Sequence, residues 1–164
     1  MRIRMAIVIA AAWTLTATAV SAAQRIPDFS GTWVRVYSTD PHITYKPATD
    51  STAGPALNIT QTATSLTISL GSAEKTTYAL DGSKTKRDEK QGNTLRTIVA
   101  TARWSSPKLI ITEEYGLSKR EITYQLDAAN GQLIVVRNTT LLYSKGGALT
   151  VSTIGPVTIV YRKG

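Results

Sequence analysis

Glu113 and Glu114 come nearest to a paired-carboxylate site. Two acids that share a proton or flank one bond have to face each other. Neighbours on a strand point to opposite sides of it, so this pair cannot act together. Glu113 lies on the face of Ile111 and Tyr115, where an inward-turned acid would bind a cationic ligand group. Its place near a strand end favours a solvent-facing side chain instead. His42 is the one histidine in the chain and cysteine is absent. Thiolate zinc sites, iron–sulfur clusters, disulfide scaffolds, a lipidated amino-terminal cysteine and cysteine nucleophiles are thereby excluded, as are His-pair metal sites. A Ser/His/Asp arrangement would have to route through His42. That residue follows Asp40-Pro41 in a polar connection over 38–54, and reads as an exposed loop residue rather than a haem ligand. No nucleophile elbow, phosphate loop, dinucleotide fingerprint or calcium loop occurs. The chain is therefore read as a non-enzyme with no metal and no cofactor.

Two further groups of residues bear on binding. Ala100 and Ala102 are small residues between Ile98 and Trp104; they would leave internal space walled by Tyr78, Trp104 and Tyr124, a ligand-binding pocket for a small apolar or amphipathic molecule. The alternative is a filled core, in which small residues pack against large ones as the interior narrows. The run 84–93 holds Lys84, Lys86, Arg87 and Lys90 against Asp88 and Glu89, and reads as a solvated loop. Lys and Arg outnumber Asp and Glu by 19 to 11, a formal charge of +8, which favours anionic partners such as lipid head groups or envelope polymers. Nucleic acid is not expected, because the basic run lacks interleaved aromatics.

These residues need elements to hold them. Threonine, valine, isoleucine and tyrosine dominate, turn clusters recur about every ten residues, and no stretch keeps helical periodicity, the pattern of an all-β barrel or sandwich. Strands are expected at 32–37, 56–61, 65–70, 75–80, 95–104, 109–115, 121–126, 132–143 and 157–162, with a tenth at 149–154. Leu57 and Ile59, Leu66 and Ile68, Ile98 to Trp104, and Ile122 to Leu126 recur with period two. One face is dry and the other wet, which is the antiparallel signature. Asp81-Gly82 and Asn130-Gly131 supply turn chemistry. Thr77-Tyr78-Ala79-Leu80-Asp81-Gly82 and Thr123-Tyr124-Gln125-Leu126-Asp127-Ala128 echo one another, as two strands ending at similar turns. Closing eight to ten short strands into an up-and-down barrel removes the exposed edges; a two-sheet β-sandwich has the same local signals.

Residues 1–23 carry Arg2 and Arg4, an apolar stretch from Met5 to Val20, and Ser21-Ala22-Ala23. They read as a secretory signal peptide, leaving 24–164 as one domain. No later segment is long enough to cross a membrane as an apolar helix. An exported domain without cysteine suits a bacterial periplasm or culture fluid.

At Pro27-Asp28-Phe29-Ser30-Gly31-Thr32-Trp33 the chain resembles the opening of small exported bacterial proteins of lipocalin-like type, where a Gly-x-Trp triplet begins the first strand. Leu57-x-Ile59, Leu66-x-Ile68, Tyr78-x-Leu80-Asp81-Gly82, Ala102-Arg103-Trp104 and Leu109-Ile110-Ile111 are similar to later pieces of that group. The resemblance implies a monomeric barrel that binds a small molecule. It implies that Trp33 packs across the barrel floor beneath an arginine of the last strand, for which Arg162 is placed, a structural cation–π closure. The rival expectation is a non-catalytic envelope interaction module with a filled core, binding anionic material through basic loops. The polar connection over 38–54 would serve as a lid over the mouth.

Overall fold

The computed structural model describes residues 26–40, 56–145 and 147–164. The segment 1–23, His42 and most of the connection after Ser38 lie outside the described residues.

Among the described residues ten antiparallel strands follow one another: β1 Gly31–Ser38, β2 Leu57–Gln61, β3 Ser65–Leu70, β4 Thr76–Ala79, β5 Thr85–Gln91, β6 Thr94–Ser105, β7 Lys108–Tyr115, β8 Ser118–Asp127, β9 Gln132–Lys145 and β10 Ala148–Lys163. They form one sheet in the order β4-β3-β2-β1-β10-β9-β8-β7-β6-β5. A single ladder in meander order, with β1 paired to β10, decides between the two expected architectures. The chain is a nearly closed up-and-down barrel rather than a sandwich. The two remaining edges, β4 and β5, are consecutive in sequence and meet across a seam.

Two expectations are corrected. The run 84–93 is not a loop, because residues Thr85–Gln91 pair with β6 from Thr85↔Ala100 to Gln91↔Thr94. Strand recognition by apolar alternation misses β5 since both of its faces are polar. The stretches 149–154 and 157–162 are one strand whose register shifts between Ile154 and Val157. Gly155 makes the shift with φ +119°, and a Cβ there would lie 2.8 Å from the Arg137 carbonyl oxygen. Backbone cannot yield to it as a flexible side chain would. Gly155→Ala is expected to cost about 1–3 kcal/mol in thermal unfolding; an unchanged melting temperature would show that the bend tolerates a side chain.

The core runs along the inner face. Phe29, Trp33, Leu57, Ile59, Leu66, Tyr78, Ile98, Leu109, Ile111, Tyr124, Leu133 and Tyr161 are all buried, and every strand but β5 contributes to them. In an up-and-down barrel the turns alternate between two ends. The start of β1, the end of β10 and the β2–β3, β4–β5, β6–β7 and β8–β9 turns share one end, here the floor. The β3–β4, β5–β6, β7–β8 and β9–β10 turns share the other, here the mouth.

Candidate functional site

The floor is closed by a residue that sequence periodicity did not single out as core. Phe29 precedes β1, is wholly buried, and stacks on Trp104 at 5.7 Å between ring centroids, with Tyr124 at 6.2 Å. It lies outside any alternating run, so only its place in the Gly-x-Trp opening drew notice. Its backbone is pinned on both sides. The Phe29 N–H donates to Gln61 Oε1 at 3.1 Å, Gln61 Nε2 donates to the Pro27 carbonyl at 2.9 Å, and Trp33 Nε1 donates to the Phe29 carbonyl at 2.8 Å.

Trp33 is buried on this floor beneath a cation, but the cation is Lys163 and not Arg162. In the β1–β10 register Trp33 stands opposite Lys163 and Val34 opposite Arg162. Arg162 therefore points to the outer face, being one residue out of phase. Lys163 Nζ sits 4.8 Å from the Trp33 ring and donates to the Ser30 carbonyl at 2.7 Å. Gly31, with φ +132°, leaves room for that lysine chain, since a Cβ would come within 2.8 Å of Lys163 Cε.

The five residues expected to line a pocket all face inward. Ala100 and Ala102 are fully buried in the core cluster with Tyr78 and Tyr124, and Trp104 packs against it. Phe29 covers Trp104 and Tyr124, so the floor between these walls is filled by the chain itself. Tyr78 looks the other way, toward a layer of charge.

That layer lies nearer the mouth. Glu113, expected to face solvent, is 1% exposed. It stands opposite Ala100 across the β6–β7 pair and Arg120 across β7–β8, on the inner face. Arg87 Nη2 reaches its Oε1 at 2.7 Å, Arg120 Nη1 its Oε2 at 3.2 Å, and the Tyr78 hydroxyl donates to Oε1 at 2.7 Å. Strands β4, β5, β7 and β8 are thus tied together across the seam by one carboxylate. Burial, and then the Glu113 charge, push the Tyr78 hydroxyl well above its ordinary range, so it remains a donor. Burial works against the Arg87 charge, yet its hydrogen bond to Glu113 and the surrounding negative charge leave that guanidinium held more firmly than usual.

Further arginines share the inner face. Arg96 stands opposite Glu89, Arg137 opposite Ile122 and Arg35 opposite Tyr161. Arg137 Nη2 pairs with Asp40 at 2.9 Å, and Arg96 Nη2 with Glu89 at 3.6 Å. Tyr115 takes Arg96 over its ring at 4.6 Å and Arg120 at 5.5 Å. The Nε atoms of Arg96 and Arg120 are buried with no hydrogen-bond partner among the described residues. Sequence reasoning passed over these residues because a charged side chain is normally put outside. Their phase with Ile98, Ile122 and Val135 was the available signal. A crevice of about 590 Å³ opens at the seam beside this layer, lined among others by Thr77, Thr85, Arg87 and Glu89.

An apolar floor, an inner layer rich in arginine and a meander closed by β1 and β10 define an antiparallel barrel of lipocalin-like architecture. No family model matches the chain, and no curated protein matches it in sequence. Among solved structures it is similar to human cRBP IV, with 19% identity over 84% of this chain and 99% of that one and a TM-score of 0.56. It is also similar to an asparagine-to-alanine mutant of the fluorescent protein UnaG, with 16% identity over 83% of this chain and 96% of that one and a TM-score of 0.50. At these identities the likeness is one of fold.

Proposed function

We propose that the protein is an exported, monomeric, non-catalytic carrier that holds a small amphipathic molecule in its barrel above the Phe29 floor. The observation that carries this reading is the pair of buried guanidinium Nε donors on Arg96 and Arg120 that find no partner among the described residues. An unmet buried donor costs about 1–3 kcal/mol, and a ligand bearing acceptor atoms relieves that cost when it enters. A wholly apolar ligand would not, so the amphipathic class is favoured over the apolar one. The fold shared with human cRBP IV supports a barrel that takes a ligand. Export rests on Arg2, Arg4, the apolar stretch and Ser21-Ala22-Ala23.

Native mass spectrometry of the protein taken from its host's exported fraction, followed by denaturation, tests the reading. A stoichiometric small molecule released on unfolding is the expected result. A clean apo mass, with no thermal shift against a panel of lipids and metabolites, would leave the filled-core envelope module, acting through its basic surface, as the better account.

A further inference from the structure

Large apolar side chains left exposed on the barrel are not scattered. Among the described residues they are Ile26, Tyr37, Leu70, Leu95, Leu117, Tyr143, Leu149, Val151 and Ile154. Ile26 alone lies at the floor. Leu70 ends β3, Leu95 follows the β5–β6 turn, Leu117 sits in the β7–β8 turn, and Tyr37 is next to last in β1. Of the remaining four, Tyr143, Leu149 and Val151 lie on an arm, and Ile154 stands at its base opposite Thr139, where β9 still pairs with β8. β9 pairs with β8 only as far as Thr140, and β1 reaches β10 only as far as Ile159. Beyond those points β9 and β10 pair with each other alone, as in Val151↔Leu142 and Thr150↔Tyr143, and the hairpin projects past the mouth. Every described turn at the mouth therefore carries an exposed large apolar side chain, and no turn at the floor does. Leu95, Leu117, Leu149 and Val151 are 67%, 62%, 68% and 61% exposed, far from any supporting role in the core.

We propose that the mouth end of the barrel docks on an anionic lipid surface, with Leu95, Leu117, Leu149 and Val151 entering the boundary between head groups and acyl chains. The inference does not require a ligand in the barrel. Its physical basis is the form of the apolar surface. A stable protein interface is a continuous, close-packed patch of about 800 Å² on each partner, whereas here Leu95 and Leu117 stand singly on separate turns and Leu149 and Val151 together on a third hairpin, with polar residues between the three. A fluid bilayer accepts such separated protrusions, each contributing its own buried area. Tyr143 has the amphipathic ring suited to that depth. Without Arg2 and Arg4 of the leader segment the formal charge falls from +8 to +6, which still draws the domain toward anionic lipid, and Lys75, Lys90 and Lys119 are exposed at the same end, beside the acids Glu74 and Glu114.

Co-sedimentation with phosphatidylcholine vesicles, with and without phosphatidylglycerol, reads this out. The parent is expected to bind, more tightly when phosphatidylglycerol is present. Leu95→Ser, Leu117→Ser and Leu149→Ser should each lower the partition coefficient roughly tenfold, and the triple variant at least about a hundredfold. Ile26→Ser at the floor should bind like the parent, and unchanged melting temperatures would show that all variants fold. The proposal is overturned by a parent that does not bind, or by a triple variant that binds as the parent does. It is equally overturned if the parent dimerises in sedimentation equilibrium and the triple substitution disperses the dimer, because the rim would then be an interface between copies.

Discussion

Glu113→Gln is expected to lower stability by about 3 kcal/mol, with the melting temperature falling by about 10 °C. The substitution keeps the side chain's shape and removes its charge, leaving Arg87 and Arg120 facing one another on the inner wall without the carboxylate that both reach. Each arginine side chain is about 30% exposed, so water relieves part of the repulsion and the lower end of the range for a broken buried pair applies. The seam should loosen most, because Tyr78 on β4 and Arg87 on β5 meet through this carboxylate. Hydrogen exchange should therefore quicken in β4 and β5 before the rest of the barrel. Replacing the ions together, Glu113→Leu with Arg87→Met and Arg120→Met, should cost less than the single variant, since apolar replacement of a whole buried ion cluster is often near neutral. A loss below about 1 kcal/mol in the single variant would mean that the cluster does not hold the seam.

Phe29→Ala should cost about 3–5 kcal/mol, the usual range for emptying a buried aromatic position. The ring is wholly buried against Trp104 and Tyr124, and the pinned backbone of 27–30 cannot collapse into the space. An apolar cavity walled by the residues first expected to line a pocket should result, and such cavities take up small apolar molecules. Indole or benzene should raise the melting temperature of Phe29→Ala and leave the parent unchanged. If neither compound shifts the variant, the floor has closed over the gap.

Much of the architecture was legible in residue order. Alternation placed Ile98, Ala100, Ala102, Ile111, Tyr124 and their neighbours on one face, and that face is the interior. It worked because a strand with one dry side must repeat with period two. β5 escaped because its dry side is not dry. Thr85, Arg87 and Glu89 face inward, and a polar interior leaves no apolar trace in the sequence. The same blindness hid Glu113 and the inward arginines, of which Arg87 and Arg120 reach Glu113, Arg96 reaches Glu89 and the Tyr115 ring, and Arg137 reaches Asp40 beyond the end of β1. Lys163 rather than Arg162 lies over Trp33 for a related reason: resemblance names a partner type, while the β1–β10 register selects the residue.

The sequence by itself determined that the chain is all-β and antiparallel, that it lacks the residues for thiolate chemistry, and that its aromatic and aliphatic side chains share one face. Those are properties of residue types and their period, which act locally. Only the tertiary structure decided that the sheet closes, that Phe29 stops the floor, that an ionic layer sits above it, and that exposed leucines gather at the mouth. Each of these depends on which strands become neighbours and at what register, and the energies that set them come from contacts between residues tens of positions apart.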